Sequence, residues 1–129
     1  MMTKNFENFP VYIKSLDLIE KVYQFLQNKS LEKEFEFNNQ IKRASFSISN
    51  NIAEGSEYNN NRQFIKYLKI AKGSCAEVRS MMIVSKRLKL GDEIKAEEII
   101  CLSREISSNI SNFVKYLSEN MERPQSLNL

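Results

Sequence analysis

The run Phe64-Ile65-Lys66-Tyr67-Leu68-Lys69-Ile70-Ala71-Lys72-Gly73-Ser74-Cys75-Ala76-Glu77-Val78-Arg79-Ser80-Met81-Met82 places Phe64, Leu68, Ala71, Cys75, Val78 and Met82 at alternating spacings of four and three. That alternation puts all six on one stripe of an α-helix and matches the heptad of a bundle seam. A second row, Tyr67, Ile70, Ser74, Met81, Val84 and Leu88, predicts burial on more than one side of the same helix. The polar turn Asn59–Asn61 precedes the run and Gly91 closes it, so the helix is expected over about residues 61–90. At a rise of 1.5 Å per residue it is roughly 45 Å long.

Three further helices flank this one. Asp92 can cap a helix in which Glu93, Glu97 and Glu98 lie near the positive dipole end, and Ile99, Leu102, Ile106, Ile110, Phe113 and Leu117 supply a seam to about residue 120. Pro124 marks its end, and 124–129 reads as a loose tail. On the other side, Asn38 reads as an N-cap and Gly55 as a left-handed C′ residue around Ile41, Ala44, Ile48 and Ile52, giving a helix over 39–54. Pro10 suits a first helical turn, and Val11, Leu16, Ile19, Tyr23 and Leu26, widened by Leu18, Val22 and Phe25, carry a helix to about residue 28. The charged stretch 29–37, with Leu31, Phe35 and Phe37, reads as an ordered connection pinned by its apolar residues. Short turns between long helices favour antiparallel neighbours, so the expectation is an all-α, up-down-up-down four-helix bundle forming one domain over 1–129.

Composition narrows the chemistry. With no histidine among 129 residues there is no Ser-His or Cys-His nucleophile pair and no histidine-ligated zinc. Cys75 and Cys101 are too few for a thiolate cage, and the opening MMTKNFENFP lacks the apolar segment of a secretory signal. The expectation is a cytoplasmic chain with both thiols reduced and buried, no metal, no cofactor and no catalytic site. No run approaches the ~18–20 apolar residues of a membrane span.

Charge is uneven. Residues 61–90 hold Arg62, Lys66, Lys69, Lys72, Arg79, Lys86, Arg87 and Lys89 against the single acid Glu77, a local +7 in a chain of net +3. At about 100° per residue, all but Lys89 fall within an arc of roughly 160° opposite the apolar stripes. Lys72, Arg79 and Lys86 are a heptad apart and nearly aligned. Such a row can follow an RNA or DNA backbone through counterion release without base readout. Two other readings stand beside it: a solvated face paired with the acids of the fourth helix, and an anionic membrane surface, which the helix's commitment to a core disfavours.

In the second helix, Arg43, Ser47, Asn50, Asn51 and Glu54 share an arc of about 100° away from the isoleucines. Ser45, Ser49 and Ala53 are small enough to allow close helix approach. Serine and asparagine are mediocre helix formers, so this face reads as a polar network, within the chain or between subunits, in preference to a ligand site built on Arg43 and Asn51. Gly73, at mid-helix, predicts a close backbone crossing near Ala71, Ser74 and Ala76.

The segment Gln40-Ile41-Lys42-Arg43-Ala44-Ser45-Phe46-Ser47-Ile48-Ser49-Asn50-Asn51-Ile52-Ala53-Glu54-Gly55-Ser56, followed by Gln63-Phe64-Ile65-Lys66-Tyr67-Leu68-Lys69-Ile70-Ala71-Lys72-Gly73-Ser74-Cys75-Ala76-Glu77, resembles the signature of the 23S rRNA-intervening-sequence proteins. Arg43, Ser47, Asn51, Glu54, Gly55, Gly73, Ser74 and Glu77 match that pattern; Cys75 and Phe46 depart from it without threatening the fold. The resemblance implies a bacterial, cytoplasmic helical protomer that associates into a ring-like homopentamer, with the matching residues serving helix packing and assembly. Relatives so implied include proteins encoded by ribosomal-RNA inserts and the accessory protein of diversity-generating retroelements, a basic pentameric barrel that binds nucleic acid and its reverse transcriptase. The expected partners are therefore sister copies, RNA or DNA, and, as the alternative to nucleic acid, a partner polypeptide such as a reverse transcriptase docked on a noncatalytic scaffold.

Overall fold

The computed structural model describes residues 5–121, so the expected loose tail at 124–129 lies outside the described residues. A short 3-10 turn, Phe6–Asn8, leads into α1 (Pro10–Phe25); a second, Lys29–Leu31, precedes α2 (Phe35–Ser56); α3 (Asn61–Leu88) and α4 (Glu93–Glu119) follow. The described residues contain helices and no strands. Side-chain contacts set the directions. Ser47 meets Ser74 while Tyr58 meets Tyr67, so α2 and α3 are antiparallel. Asn61 reaches Leu117 while Lys86 reaches Glu97, so α3 and α4 are too. Lys14 meets Glu105 and Lys21 meets Glu98, which closes α4 back on α1 in the same sense.

The seams of α3 and α4 pack as the heptads dictate. Phe64, Leu68, Ala71, Cys75, Val78 and Met82 are buried, facing Ile99, Ile106, Ile110 and Leu117, with Leu102 and Phe113 partly buried against them. Each fully buried aliphatic side chain contributes roughly 1.5–3 kcal/mol relative to exposure. Phe9 closes one end of the bundle, its ring 5.5 Å from that of Phe113, which in turn lies 5.1 Å from Phe64. Both α3 and α4 start on side-chain caps: Asn60 accepts from the Gln63 amide at 3.1 Å and Asp92 from the Lys95 amide at 2.9 Å.

The second row of α3 packs only in part. Ser74 is buried and Tyr67 and Met81 are partly covered, but Ile70, Val84 and Leu88 are exposed at 45%, 44% and 59%. The expected burial on a second side therefore holds for Tyr67, Ser74 and Met81, which lie toward α2, and fails for Ile70, Val84 and Leu88.

The buried face of α1 is Val11, Ser15, Leu18, Val22 and Phe25, not the row led by Leu16 and Tyr23, which are both exposed. Ser15 takes the inward position because its hydroxyl donates to the Tyr12 carbonyl at 2.6 Å and needs no other partner. Ser45, Ser49, Ser85 and Ser103 likewise donate to the carbonyl three residues back, which lets small polar side chains line tight helix contacts at little cost.

Helix limits differ from expectation in three places. α1 stops at Phe25, three residues before 28, and the chain turns through Asn28, whose side chain accepts from the Ser30 amide. α2 spans Phe35–Ser56, beyond the expected 39–54 at both ends. Asn38 is not its N-cap: it sits inside the first turn, where its amide donates to the Leu31 carbonyl at 2.8 Å and ties the connection down. Leu31 is buried, Phe37 is partly buried and Phe35 is exposed, so the connection is pinned by two of its three apolar residues. α3 ends at Leu88, short of 90, with Lys89 left-handed (φ 59°) as the Leu90 amide donates to the Ser85 carbonyl at 2.8 Å. This is a Schellman closure with lysine where glycine is usual. Gly91 (φ 76°) is reserved for the next turn, where any Cβ would run into the Phe25 ring.

The two helical glycines exchange the roles expected of them. Gly55 is buried within α2, not a left-handed residue beyond it, and a Cβ there would lie 2.6 Å from Tyr67 Cβ and 3.0 Å from Phe64 Cδ1. α2 and α3 approach closely there. Gly73 is exposed, with nothing among the described residues within 4 Å of where a Cβ would stand, so none of the described elements crosses it.

Candidate functional site

Two surfaces of α3 hold the residues singled out by sequence. On the α2 side, the matching polar residues form a seam along the helix pair. Gln40 donates to the Glu77 carboxylate. Half-way along, Ser74 Oγ donates to Ser47 Oγ at 2.8 Å, and Asn51 Nδ2 donates to the Ser47 carbonyl at 2.8 Å and to Ser47 Oγ at 3.1 Å. At the far end the Tyr58 and Tyr67 hydroxyls meet at 3.2 Å over stacked rings. The hydrogen bond to Tyr58, with the nearby Glu54 charge adding to it, holds the Tyr67 phenol above its ordinary pKa. The seam brings Ser47, Asn51, Ser74 and Glu77 together and sets Gly55 beneath it. Arg43, Asn50, Glu54 and Gly73 remain exposed beside it. Sequence reasoning missed Gln40, Tyr58 and Tyr67 as members; Gln40 stands at the head of the quoted motif and was the one legible signal.

The opposite flank carries the positive charge. Arg62, Lys66, Lys69, Lys72 and Arg87 are exposed, while Arg79 and Lys86 are partly buried. The fourth helix's acids neutralise only one of these among the described residues: Lys86 pairs with Glu97. Glu98 and Glu105 turn the other way, to Lys21 at 3.5 Å and Lys14 at 2.7 Å on α1. Glu77, the one acid of the segment, is engaged with Gln40 on the α2 side. The basic flank is thus spared by its nearest carboxylates, except at Lys86. Arg79 differs from its neighbours in having Nη1 buried without a hydrogen-bond partner.

The cysteines divide. Cys75 is buried, and burial pushes its thiol pKa up to about 11 against the lowering effects of Arg79 and Lys72; Cys101, expected inside, is exposed on α4. Both are free thiols. Among the described residues no three His, Cys, Asp or Glu side chains gather as metal ligands would, and no helix is long and apolar enough to cross a membrane.

A closed ring of four alternating helices, with a hydroxyl-and-amide seam on one side of α3 and a cationic flank on the other, defines a class of small helical bundle proteins. The family model for the 23S rRNA-intervening sequence protein matches residues 7–112, and the chain belongs to that family. A crystal structure of a protein of unknown function from the S23 ribosomal protein family of Bacteroides thetaiotaomicron is similar to it, at 30% identity and a TM-score of 0.74. That match covers 81% of this chain and 98% of the other. No curated protein matches the chain.

Proposed function

We propose that this chain is a noncatalytic, cytoplasmic homo-oligomer that binds the RNA or DNA backbone through the basic flank of α3, without reading sequence. The observation that carries the reading is the disposition of carboxylates: α4 spends Glu98 and Glu105 on α1, leaving Arg62, Lys66, Lys69, Lys72 and Arg87 exposed. Repetition of that flank around an assembly, a pentamer by family resemblance, would make a weak patch multivalent. Support for assembly comes from the adjoining flank. Ile70, Val84 and Leu88 are exposed there, and Gly73, which costs roughly 1 kcal/mol of helix propensity relative to alanine, lies between them with no neighbour among the described residues to justify it. A sister chain crossing at Gly73 accounts for both.

The test is a gel shift with single-stranded RNA at low salt, alongside light scattering before and after nuclease. A shift that falls steeply with salt, and is lost when Lys66, Lys69 and Arg87 become glutamine, is expected. No shift at low salt, or a triple variant that binds as well as the parent, refutes the reading. A second reading, a scaffold that docks a partner polypeptide such as a reverse transcriptase, is favoured by Ile94 and Tyr116, exposed at 72% and 60% on α4. It predicts salt-tolerant capture of one protein and no retained nucleic acid.

A further inference from the structure

Along the flank where α3 meets α4, one rung breaks the charge pattern. Lys86 pairs with Glu97. Seven residues back along α3 and seven forward along α4 stand Arg79 and Arg104; seven more reach Lys72 and Ser111. In antiparallel helices each heptad climbs about 10 Å on both, so these pairs stay level and on the same flank as the Lys86–Glu97 bridge. At the far end the Asn61 amide reaches the Leu117 and Asn120 carbonyls, so the register holds to within a turn. The middle rung therefore sets the backbone positions of two arginines, Arg79 and Arg104, at one level.

No carboxylate serves that rung among the described residues. Glu97 is engaged by Lys86, Glu105 by Lys14 on the side of α4 that faces α1, and Glu77 by Gln40 on the side of α3 that faces α2. Arg79 has Nη1 buried and unpartnered, whereas Arg104 is exposed. Lys72 is exposed a rung away, and the charges of Arg79 and Lys72 both act on the Cys75 thiol, which places them on one local field. A buried guanidinium donor without an acceptor is costly, and a second arginine at the same level brings like charge toward it. A tetrahedral oxyanion between them relieves both, because the planar fork of arginine matches two of its oxygens at once.

We propose that Arg79 and Arg104, with Lys72 above them, form a seat for a phosphate oxyanion. Its identity as a backbone phosphate of a strand running along α3 rests on the function proposed above; the seat itself rests on the rung. Arg104 lies outside the basic segment of α3 and enters only through the pairing of the helices.

The test uses the full chain and the variant Arg104→Gln, whose side chain is exposed and whose loss leaves the core intact, in two measurements. In the first, a fluorescent oligouridine is titrated over a salt series; Arg104→Gln weakens binding about tenfold near 50 mM salt and reduces the salt slope by about 0.7. In the second, inorganic phosphate is titrated against the arginine side-chain NH signals, and those of Arg79 and Arg104 move while those of Arg43, Arg62 and Arg87 do not. If Arg104→Gln binds the oligouridine like the parent while Lys66→Gln and Lys69→Gln weaken it, the seat is refuted and the nucleic-acid reading survives. If the parent binds no oligouridine, that reading falls and the phosphate titration decides the seat alone: selective movement upholds it, no movement ends it. If Arg104→Gln instead lowers the assembled mass in light scattering, the acceptor is a carboxylate of a sister copy and the proposal is overturned.

Discussion

One substitution, glycine to alanine, made separately at Gly55 and Gly73, is expected to act with opposite signs. At Gly55 the new Cβ would stand 2.6 Å from Tyr67 Cβ, an atom held by the α3 backbone that no rotamer change can withdraw. The helices must part by about 1 Å, and because the clashing atom is anchored to backbone the overpacking cost falls in the upper part of the usual range, roughly 2–3 kcal/mol. Alanine returns about 1 kcal/mol of helix propensity, leaving a net loss near 1–2 kcal/mol. With an unfolding entropy of roughly 2.1 cal/mol/K per residue, that lowers Tm by about 4–7 °C for a chain of this length. At Gly73 a Cβ meets nothing among the described residues, so the dissociated protomer gains the propensity and its Tm rises by about 3–4 °C. If a sister copy crosses there, the gain reverses as protein concentration rises and the assembly forms, since the stability of an assembly depends on protomer concentration. Circular dichroism melts at several concentrations, paired with light scattering, read all three effects. A Gly55→Ala protein that melts like the parent would refute the close-crossing argument. A Gly73→Ala protein that is more stable at every concentration and of unchanged mass would remove Gly73 from the assembly surface.

Other outcomes follow from the same contacts. Leu18→Ala should cost about 2–5 kcal/mol in urea unfolding, while Leu16→Ala, on the exposed side of α1, should cost under about 1 kcal/mol; equal losses would mean the α1 face is misassigned. A thiol reagent should label Cys101 in the folded protein and Cys75 only after unfolding. Because burial raises the Cys75 pKa from 9.0 to about 11, the unfolded chain releases this proton first. Stability from this group is complete below pH 9 and is lost between about pH 9 and 11, by an amount of order 2 kcal/mol. Cys75→Ala should be less stable at pH 8 yet decline less steeply over that window, and an unchanged decline would refute the burial effect. Lys86→Gln should weaken oligonucleotide binding less than Lys69→Gln, since Glu97 already holds Lys86; the reverse order in anisotropy titrations would contradict that pairing.

What could be read from the residues tracks how local the deciding interaction is. The α3 and α4 seams were legible because heptad spacing, the polar turn Asn59–Asn61 and the Asp92 cap are local to each helix. The α1 face was legible at Val11, Leu18, Val22 and Phe25 but not at its centre, because Ser15 counts as polar by type, and only its bond to the Tyr12 carbonyl shows why it can be buried in place of Leu16. The start of α2 was obscured by Asn38, whose residue type signals a cap but whose amide is spent on Leu31. Gly55 and Gly73 are indistinguishable by spacing; the approach of another helix separates them, and that is a tertiary fact. Likewise the cationic arc of α3 was visible in one segment of sequence, whereas the engagement of Lys86 and the level of Arg104 depend on how α4 is aligned beside it.

The Ser30 hydroxyl accepts from the Gly91 amide at 2.7 Å, joining the α1–α2 connection to the α3–α4 turn. An even number of alternating rods puts the start of α1 and the finish of α4 together at the other extremity. A fluorophore or affinity handle fused ahead of Phe6 or after Glu119 therefore departs from the same pole, and two such labels on one molecule would report a short mutual distance. The latched pole stays unobstructed, and immobilising the protein through either fusion would present that pole outward to a flowing analyte.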